Sequence, residues 1–313
     1  MALTRAEAFA PATMANVGCG FDILGLCFEA PGDRVVAVRR PEPGVLINQI
    51  HGDGGKLTLD PVKNSAGAAA QAVLTQLGVT DGVALTIYKD MPLASGLGSS
   101  SASAAAGALA VNALFGTPLS NRELIPAAVV GEGAVSGFHA DNVAPSLMGG
   151  LVLISGTTPD KVLALPVPER AVFALVTPDV AVPTALARAA LPKDIPMKHL
   201  IQMTAAVGRL VAALYRDDLS AWAEAMEDDS VVEPARKYLM PYLDECRAVA
   251  KAAGALGLCI SGAGPTLGAL CDSMETAERV EAAMAALYAS HNMGASTRIS
   301  RISKQGARIL SVE

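Results

Sequence analysis

The sequence has 313 residues, of which 51% are hydrophobic and 17% are charged, and this composition excludes a disordered chain. The length suffices for one large domain or two ordinary domains, each with its own core. Lysine and arginine number 24 against 30 aspartate and glutamate residues, so the formal net charge is −6, and no basic block occurs. We therefore expect no binding to a nucleic-acid backbone, because such binding needs a clustered positive surface.

The cysteines and the apolar segments indicate the cellular compartment in which the protein is expected. The five cysteines are odd in number and form no C-x-x-C pair, which favours free thiols in a reducing cytoplasm over disulfides or a zinc site. The N-terminal segment lacks the long apolar core of a secretory signal. The uncharged segment 91–121 consists mainly of alanine, glycine and serine, so we expect a helix packed inside the protein there and no membrane span.

The first half of the chain alternates between strand and helix patterns. β-Branched residues flanked by turn residues predict strands, at 34–40, 45–50, 83–89 and 149–155. We predict helices at 64–78, about 99–115 and about 121–133. The first of these helices has Asn64 or Ser65 as its N-cap and Gly78 beyond its end.

The second half is again mixed, and a proline-bearing stretch at 157–170 is the candidate boundary between the halves. This boundary predicts two domains, 1–160 and 161–313. A strand pattern at 171–177 is followed by predicted helices at about 182–190, 197–216, 218–228, 241–254 and 275–289. Two closing strands are predicted at about 296–302 and 307–312. The chain is therefore predicted to be an α+β protein.

The stretch "PLASGLGSSSAS" at 92–103 lies between a predicted strand and a predicted helix. Such a junction offers unpaired backbone N–H groups and the positive end of a helix to an anion. Gly96 and Gly98 permit a close approach of the backbone to phosphate, and one of the following serines could bind Mg²⁺. The lysine of a Walker A loop is absent, because Ser99 follows the second glycine. These residues alone fit a phosphate cradle and a plain glycine turn equally well.

Polar residues cluster in two further segments. Asn16 and Asp22 lie six residues apart, and a carboxylate paired with an amide suits an ammonium or hydroxyl group. Asp22 could instead cap a helix that begins at Ile23. The glycine-rich segment 131–150 contains four polar residues in an apolar context, which favours a binding site over solvated positions. These four residues are Glu132, His139, Asp141 and Asn142.

Three segments together resemble the GHMP kinases, the family of galactokinase, homoserine kinase, mevalonate kinase and phosphomevalonate kinase. The stretch 92–103 matches the family's phosphate loop, P-x-x-x-G-L-G-S-S-[AS]-A-S. Segment 10–27 resembles its N-terminal substrate motif, and segment 260–270 resembles its C-terminal glycine-rich motif, which braces the phosphate loop. The resemblance spans essentially the whole chain and implies the two-domain GHMP kinase fold. That fold has an S5-like N-terminal domain and a ferredoxin-like C-terminal domain.

The resemblance also implies which residues bind ATP. They are Asn64 and the loop residues Pro92, Leu93, Ala94, Ser95, Gly96, Leu97, Gly98, Ser99, Ser100, Ser101, Ala102 and Ser103. Ser100 and Glu132 match the family's Mg²⁺ ligands, and an oxygen-only pair bridged by phosphates suits magnesium.

Segment "SGFHADNVAPSLMGG" at 136–150 resembles the homoserine kinase branch of the family, and the galactokinase R-x-N-x-x-G-E-H-x-D motif is absent. This resemblance implies ATP-dependent phosphorylation of the side-chain hydroxyl of L-homoserine in threonine biosynthesis, by a cytoplasmic homodimer. The implied substrate-binding residues are Asn16, Asp22, His139, Asn142, Arg188 and Arg236. Of these, Asn142, Arg236 and His139 are the implied catalytic residues.

The roles of Arg188 and Arg236 and the identity of the proton acceptor have alternative interpretations. A helical arginine is by default a solvated surface residue, but a guanidinium also binds a carboxylate through two parallel hydrogen bonds. Asn142 cannot accept a proton at neutral pH, and the adjacent Asp141 leaves the presence of a general base open. Two alternatives also remain open: another small-molecule kinase of the family, and a catalytically silent regulatory relative.

Overall fold

The computed structural model describes residues 3–313, so the first two residues of the predicted N-terminal domain lie outside it. The strands are β1 (Arg5–Ala15), β2 (Leu24–Arg40), β3 (Val45–His51), β4 (Gly82–Tyr88), β5 (Leu151–Ile154), β6 (Val162–Leu165), β7 (Val172–Pro178), β8 (Gly257–Ile260), β9 (Leu267–Cys271), β10 (Ala295–Arg301) and β11 (Arg308–Val312). The helices are α1 (Ser65–Leu77), α2 (Ser99–Leu114), α3 (Ile125–Gly133), α4 (Val143–Met148), α5 (Thr184–Ala189), α6 (Met197–Tyr215), α7 (Leu219–Glu227), α8 (Val232–Arg236), α9 (Leu243–Ala252) and α10 (Met274–Ser290).

Within residues 3–313 the first sheet has seven strands, with the order β11-β1-β2-β4-β3; β5 pairs with β2, and β6 pairs with β5. Strand β2 is long enough to pair twice: residues 24–26 pair with β5, and residues 34–40 pair with β4. Strands β3 and β4 are parallel, whereas the other pairs in this sheet are antiparallel. Helix α2 packs against β1 and β2 on one side and against α1 and α3 on the other.

Helix α2 carries no charge and is buried over nearly its whole length. Its many alanines and its glycine have small side chains or none, so other helices and strands can pack closely against it from several directions. The prediction of a buried helix in segment 91–121 is therefore confirmed. Across residues 3–313, no helix is both long and apolar enough to cross a membrane.

The second sheet is antiparallel, with the order β10-β7-β9-β8, and it separates two cores. Val172, Ala174 and Val176 of β7 face the core that α9 and α10 cover. The alternate residues Phe173 and Leu175 face the larger core, which includes α6, α7 and the first sheet. The Phe173 ring lies edge-on to Phe28 at 5.8 Å and to Trp222 at 5.9 Å, so aromatic contacts connect the two halves.

Most predicted elements occur within a few residues of their predicted bounds. The Asn64 side chain accepts hydrogen bonds from the N–H groups of Ala66 and Gly67, and Gly78 adopts the left-handed conformation after α1. The sequence did not reveal β1, β6, β8, β9, α4 or α8. The predicted free state of the cysteines is confirmed, and all five are buried.

The alternative interpretation of Asp22 as a helix cap is wrong. Asp22 lies in a turn, and the chain enters strand β2 at Leu24. Both Asn16 and Asp22 have positive φ, at 69° and 61°. The N–H of Asp22 donates to Oδ1 of Asn16 at 3.0 Å, so the amide side chain closes the turn and leaves the Asp22 carboxylate free to point elsewhere.

Sheet membership does not follow chain order. β6 belongs to the first sheet, and β11 returns from the end of the chain to pair with β1. The division at residue 160 stays a prediction.

Candidate active site

A cavity of about 510 Å³ lies between the two halves of the chain. The first half contributes the glycine loop before α2, the end of α3, the turn around Asp22 and the segment before α4. The second half contributes α5, the end of α8 and the loop between β8 and β9. The cavity therefore has a glycine-loop end and an end lined by charged side chains.

The glycine loop presents unsatisfied polar groups at the start of α2. Gly98 is the N-cap residue, with φ of 67°, and no side chain caps the helix. The hydroxyl oxygens of Ser99 and Ser101 are buried without a hydrogen-bond partner. Free helix N–H groups and unpaired hydroxyls next to a cavity form a site suited to an anion such as a phosphate chain.

The loop between β8 and β9 braces the glycine loop from the other half. Ser261 Oγ donates to the carbonyl of Gly96 at 2.7 Å. The N–H and the hydroxyl of Thr266 both donate to the carbonyl of Ser95, at 3.1 and 2.6 Å. A Cβ on Gly96 would lie only 2.4 Å from the carbonyl oxygen of Ser261, so this close contact requires glycine. Backbone contacts between the two halves thus fix the loop.

Glu132, near the end of α3, faces the first turn of α2. Ser100 Oγ donates to Oε1 of Glu132 at 2.9 Å, and the Ser136 hydroxyl donates to the same oxygen. The second oxygen, Oε2, is buried without a partner. In residues 3–313 no group of three or more His, Cys, Asp or Glu side chains could hold a metal, so an ion here would need oxygens from a nucleotide and water. A carboxylate with a free buried oxygen beside a hydroxyl fits Mg²⁺ held in that way.

At the other end of the cavity, Asp22 and Arg188 form an ion pair across the two halves. The guanidinium donates to both carboxylate oxygens, at 2.9 and 3.2 Å. Nδ1 of His139 lies 4.0 Å from the same carboxylate. Burial, followed by the charge of Arg188, lowers the pKa of His139, so this ring is neutral at pH 7. The guanidinium of Arg188 also lies 5.3 Å from the Phe21 ring.

Arg236 approaches the same ring from α8 and is only 3% exposed. Its Nε donates to the carbonyl of Ala187 at 3.0 Å, and Nη1 donates to the carbonyl of Gly262 at 2.9 Å. Nδ2 of Asn16 donates to the same carbonyl of Gly262 at 3.0 Å. The default interpretation of Arg236 as a solvated surface residue is therefore wrong, because backbone acceptors hold its guanidinium inside the protein.

Asp141 and Asn142 both line the cavity. Burial raises the pKa of Asp141 to about 7, and the charges of Asp22 and Glu132 add to this effect. Asn142 Oδ1 accepts a hydrogen bond from the Thr13 hydroxyl at 2.8 Å. A carboxyl group that titrates near neutral pH thus stands next to an amide with a fixed orientation.

Comparison with known proteins shows the family. Residues 64–150 match the model of the GHMP kinase N-terminal domain, and residues 210–290 match that of the GHMP kinase C-terminal domain. The curated homoserine kinase of Chlorobaculum tepidum is 40% identical, with 97% of each chain covered. That of Arabidopsis thaliana is 41% identical, over 97% of this chain and 84% of the relative. The chain belongs to the homoserine kinases of the GHMP family.

Solved structures agree with membership in the homoserine kinases. The crystal structure of homoserine kinase from Cytophaga hutchinsonii superposes with a TM-score of 0.93 at 40% identity, covering 98% of this chain and 97% of that one. Mevalonate kinase from L. major has a TM-score of 0.70 at 18% identity, so this comparison shows the fold alone. The predicted two-domain GHMP kinase fold is confirmed.

Most of the residues predicted for a homoserine kinase site line one cavity. Those that do are Asn16, Asp22, Asn64, Leu93, Ala94, Ser95, Gly96, Gly98, Ser99, Ser100, Ser101, Ser103, Glu132, His139, Asn142, Arg188 and Arg236. Three predicted ATP-binding residues do not line it. Leu97 and Ala102 are buried in the core, and Pro92 lies on the outside of the loop, where its carbonyl accepts from Ser95. The binding roles themselves stay predictions.

Sequence reasoning missed a buried ion pair beneath the loop of this homoserine kinase. Lys89 donates to the Asp33 carboxylate, to the carbonyl of Ser99 and to the hydroxyl of Ser103, the last two at 2.7 Å. Burial lowers the pKa of Lys89 and raises that of Asp33, and each charge offsets part of the desolvation of the other. A lysine shortly before the glycine loop could have suggested a charged contact there. Its partner Asp33 could not be identified from the sequence, because it lies 56 residues earlier in the chain.

Proposed function

We propose that the chain transfers the γ-phosphoryl group of ATP to the side-chain hydroxyl of L-homoserine, forming O-phospho-L-homoserine in threonine biosynthesis. The observation that carries this proposal is one cavity with an uncapped glycine loop at one end and the ion pair of Asp22 and Arg188 at the other. The first end suits a phosphate chain, and the second suits the two charges of an amino acid. Curated relatives called homoserine kinase match nearly the whole chain, which supports the same acceptor.

At the nucleotide end, the free N–H groups of α2 and the serine hydroxyls would hold the phosphate oxygens of ATP. Phosphoryl transfer depends mainly on positioning and on neutralising charge, with little covalent help from the protein. Mg²⁺ bound with ATP supplies that neutralisation, and Ser100 and Glu132 are the residues that would hold it. Lys89 and Asp33 fix the loop from below, so the N–H groups stay in place when ATP binds.

At the acceptor end, we assign Asp22 to the ammonium group of homoserine and Arg188 and Arg236 to its carboxylate. Without substrate, Asp22 and Arg188 neutralise each other. A zwitterion supplies a cation and an anion together, so both side chains keep a partner when their own contact opens. An acceptor with a single charge would leave one of them unpaired in the cavity, which is costly.

His139 and Asn142 are assigned to the hydroxyl group of homoserine. Both line the cavity, His139 beside Asp22 and Asn142 beside Gly98 of the glycine loop. The lowered pKa of His139 supports a neutral imidazole that accepts or donates one hydrogen bond. Their task would be to aim the hydroxyl oxygen at the γ-phosphorus.

Family resemblance supports a cytoplasmic homodimer. Met197, Leu200 and Ile201 on α6 are exposed apolar side chains that a second copy could cover. Light scattering at micromolar concentration tests this part of the proposal.

The proposed function is tested by ADP release with four acceptors at saturating Mg·ATP. We expect turnover with L-homoserine and a kcat/KM at least about 100-fold lower with 4-hydroxybutyrate and with 3-aminopropan-1-ol, each of which lacks one charge. Faster turnover with mevalonate would indicate a different small-molecule kinase. ATP binding without turnover of any acceptor would indicate a silent relative.

A further inference from the structure

Thr13 contacts both the glycine loop and Asn142. It lies in β1, and its side chain is fully buried. Its N–H donates to the carbonyl of Leu97 in the glycine loop at 3.1 Å. Its hydroxyl donates to Oδ1 of Asn142, at the start of α4, at 2.8 Å. The β1–β2 register shifts between Pro11 and Thr13, which coincides with the N–H of Thr13 bonding to the loop.

The packing around Thr13 leaves no free space. A Cβ on Gly98 would lie 2.1 Å from the Thr13 hydroxyl oxygen and 2.9 Å from Oδ1 of Asn142. The glycine loop, Thr13 and Asn142 are therefore in mutual contact, so a displacement of one would force the other two to move. The neighbours of Thr13 along β1, Ala12 and Met14, are apolar core residues, so Thr13 supplies the polar side chain of this part of the strand.

The hydrogen bond also decides which end of the Asn142 amide faces the cavity. An amide has an acceptor oxygen and a donor nitrogen. Because Thr13 holds Oδ1, the Nδ2 donor is the end available to a ligand in the cavity that Asn142 lines. A donor at this position can bind the oxygen of an attacking hydroxyl or of a transferred phosphoryl group, but it cannot take a proton.

We propose that Thr13 is a positioning residue for phosphoryl transfer. It fixes Asn142 as a hydrogen-bond donor toward the reacting oxygens and couples that orientation to the glycine loop. This inference rests on the proposed function, because it concerns the alignment of the acceptor hydroxyl. It makes Asn142 an orienting group and leaves the hydroxyl proton to another acceptor.

The test compares Thr13→Val with Thr13→Ser in steady-state kinetics with L-homoserine and Mg·ATP. Valine keeps the shape but leaves Oδ1 of Asn142 without its donor, so we expect kcat to fall roughly tenfold or more. The KM values for both substrates should change by less than about threefold, because the binding contacts remain. Serine keeps the hydroxyl and should recover most of the loss. Thr297→Val, at a half-buried position of strand β10 that does not line the cavity, is the control for loss of a threonine hydroxyl in a strand.

A double-mutant cycle separates positioning from general stability. In an Asn142→Ala background the amide is gone, so Thr13→Val should change kcat by less than about twofold. An equal loss in both backgrounds, or an unchanged kcat in Thr13→Val alone, would overturn the inference. If Thr13→Val does not fold, judged by circular dichroism, the same cycle is run with Thr13→Ala, which removes the hydroxyl without adding volume. No turnover by the unsubstituted chain would overturn the proposed function and this inference together, whereas turnover that is insensitive to Thr13 overturns the inference alone.

Discussion

The two ends of the cavity are built in different ways. The phosphate cradle of the nucleotide end comes from one continuous stretch, 92–103, and the side-chain hydroxyls of Ser261 and Thr266 fix it by donating to its backbone carbonyls. The charged end comes from segments far apart in the chain, and its Asp22–Arg188 contact spans 166 residues. An anion cradle can be made of local backbone geometry, whereas selection of a small zwitterion needs side chains that only the tertiary fold brings together. The first end is rigid before binding, and the second must exchange partners.

The largest expected effect comes from breaking the nucleotide end at Glu132. Glu132→Gln removes the charge of a carboxylate whose Oε2 is buried without a partner, so bound Mg²⁺ loses its protein carboxylate. We expect kcat/KM to fall on the order of 1,000-fold and the Mg²⁺ requirement to move to higher concentration. A magnesium titration of ADP release measures both. Glu278→Gln, at an exposed position of α10, is the matched control. An unchanged Mg²⁺ dependence in Glu132→Gln would show that Glu132 does not bind the metal ion.

The next effect comes from the charged end, at Arg236. Arg236→Lys keeps the charge but loses the planar fork and the contacts to the carbonyls of Ala187 and Gly262. We expect kcat/KM for homoserine to fall about 100-fold, while the affinity for an ATP analogue changes less than about twofold. Arg298→Lys, exposed on β10, is the control. If the affinity for the ATP analogue also fell about 100-fold, Arg236 would contribute to nucleotide binding as well as to homoserine binding, which would contradict the assignment of the two ends to different substrates.

The charged end should also leave a signature in pH-dependent stability, through Asp141. Its pKa of about 7 in the folded chain lies above the value of about 3.9 for an unfolded aspartate. Between these values the folded state keeps a proton that the unfolded state has released, so the free energy of unfolding falls as pH rises through this window. Asp141→Asn removes the titration, and we expect its stability relative to wild type to increase by roughly 3 to 4 kcal/mol between pH 4 and pH 8. Urea unfolding at both pH values measures this difference, and a pH-independent difference would contradict the raised pKa.

The smallest expected effect tests the rigidity of the nucleotide end. Gly96 and Gly116 both have positive φ, at 83° and 88°. A Cβ on Gly116 would meet nothing within 4 Å, whereas one on Gly96 would lie 2.4 Å from the carbonyl oxygen of Ser261. Both alanine variants carry the cost of a left-handed residue, so Gly96→Ala should be less stable than Gly116→Ala by roughly 1 to 2 kcal/mol. Denaturant midpoints measure the difference in stability. Equal values would mean that the loop between β8 and β9 can move away from Gly96 at little cost.

The same difference explains what the sequence could predict. The predicted helices and the glycine loop carry local signals, so they occur within a few residues of their predicted positions, whereas strands such as β1, β8 and β9 were not predicted. The capping pattern around Asp22 was also local but misleading, because the side chain of Asn16 and the pairing of β2 decide that turn. The burial of Arg236 and the Lys89–Asp33 pair depend on partners distant in sequence, which no local pattern reveals.

The most direct test of the account is a ³¹P NMR spectrum of the chain incubated with Mg·ATP and L-homoserine. We predict a phosphomonoester signal coupled to the two γ-methylene protons of homoserine, appearing in equal amount with ADP. Release of inorganic phosphate alone, or an unchanged ATP spectrum, would contradict the claim that this cavity joins the two substrates.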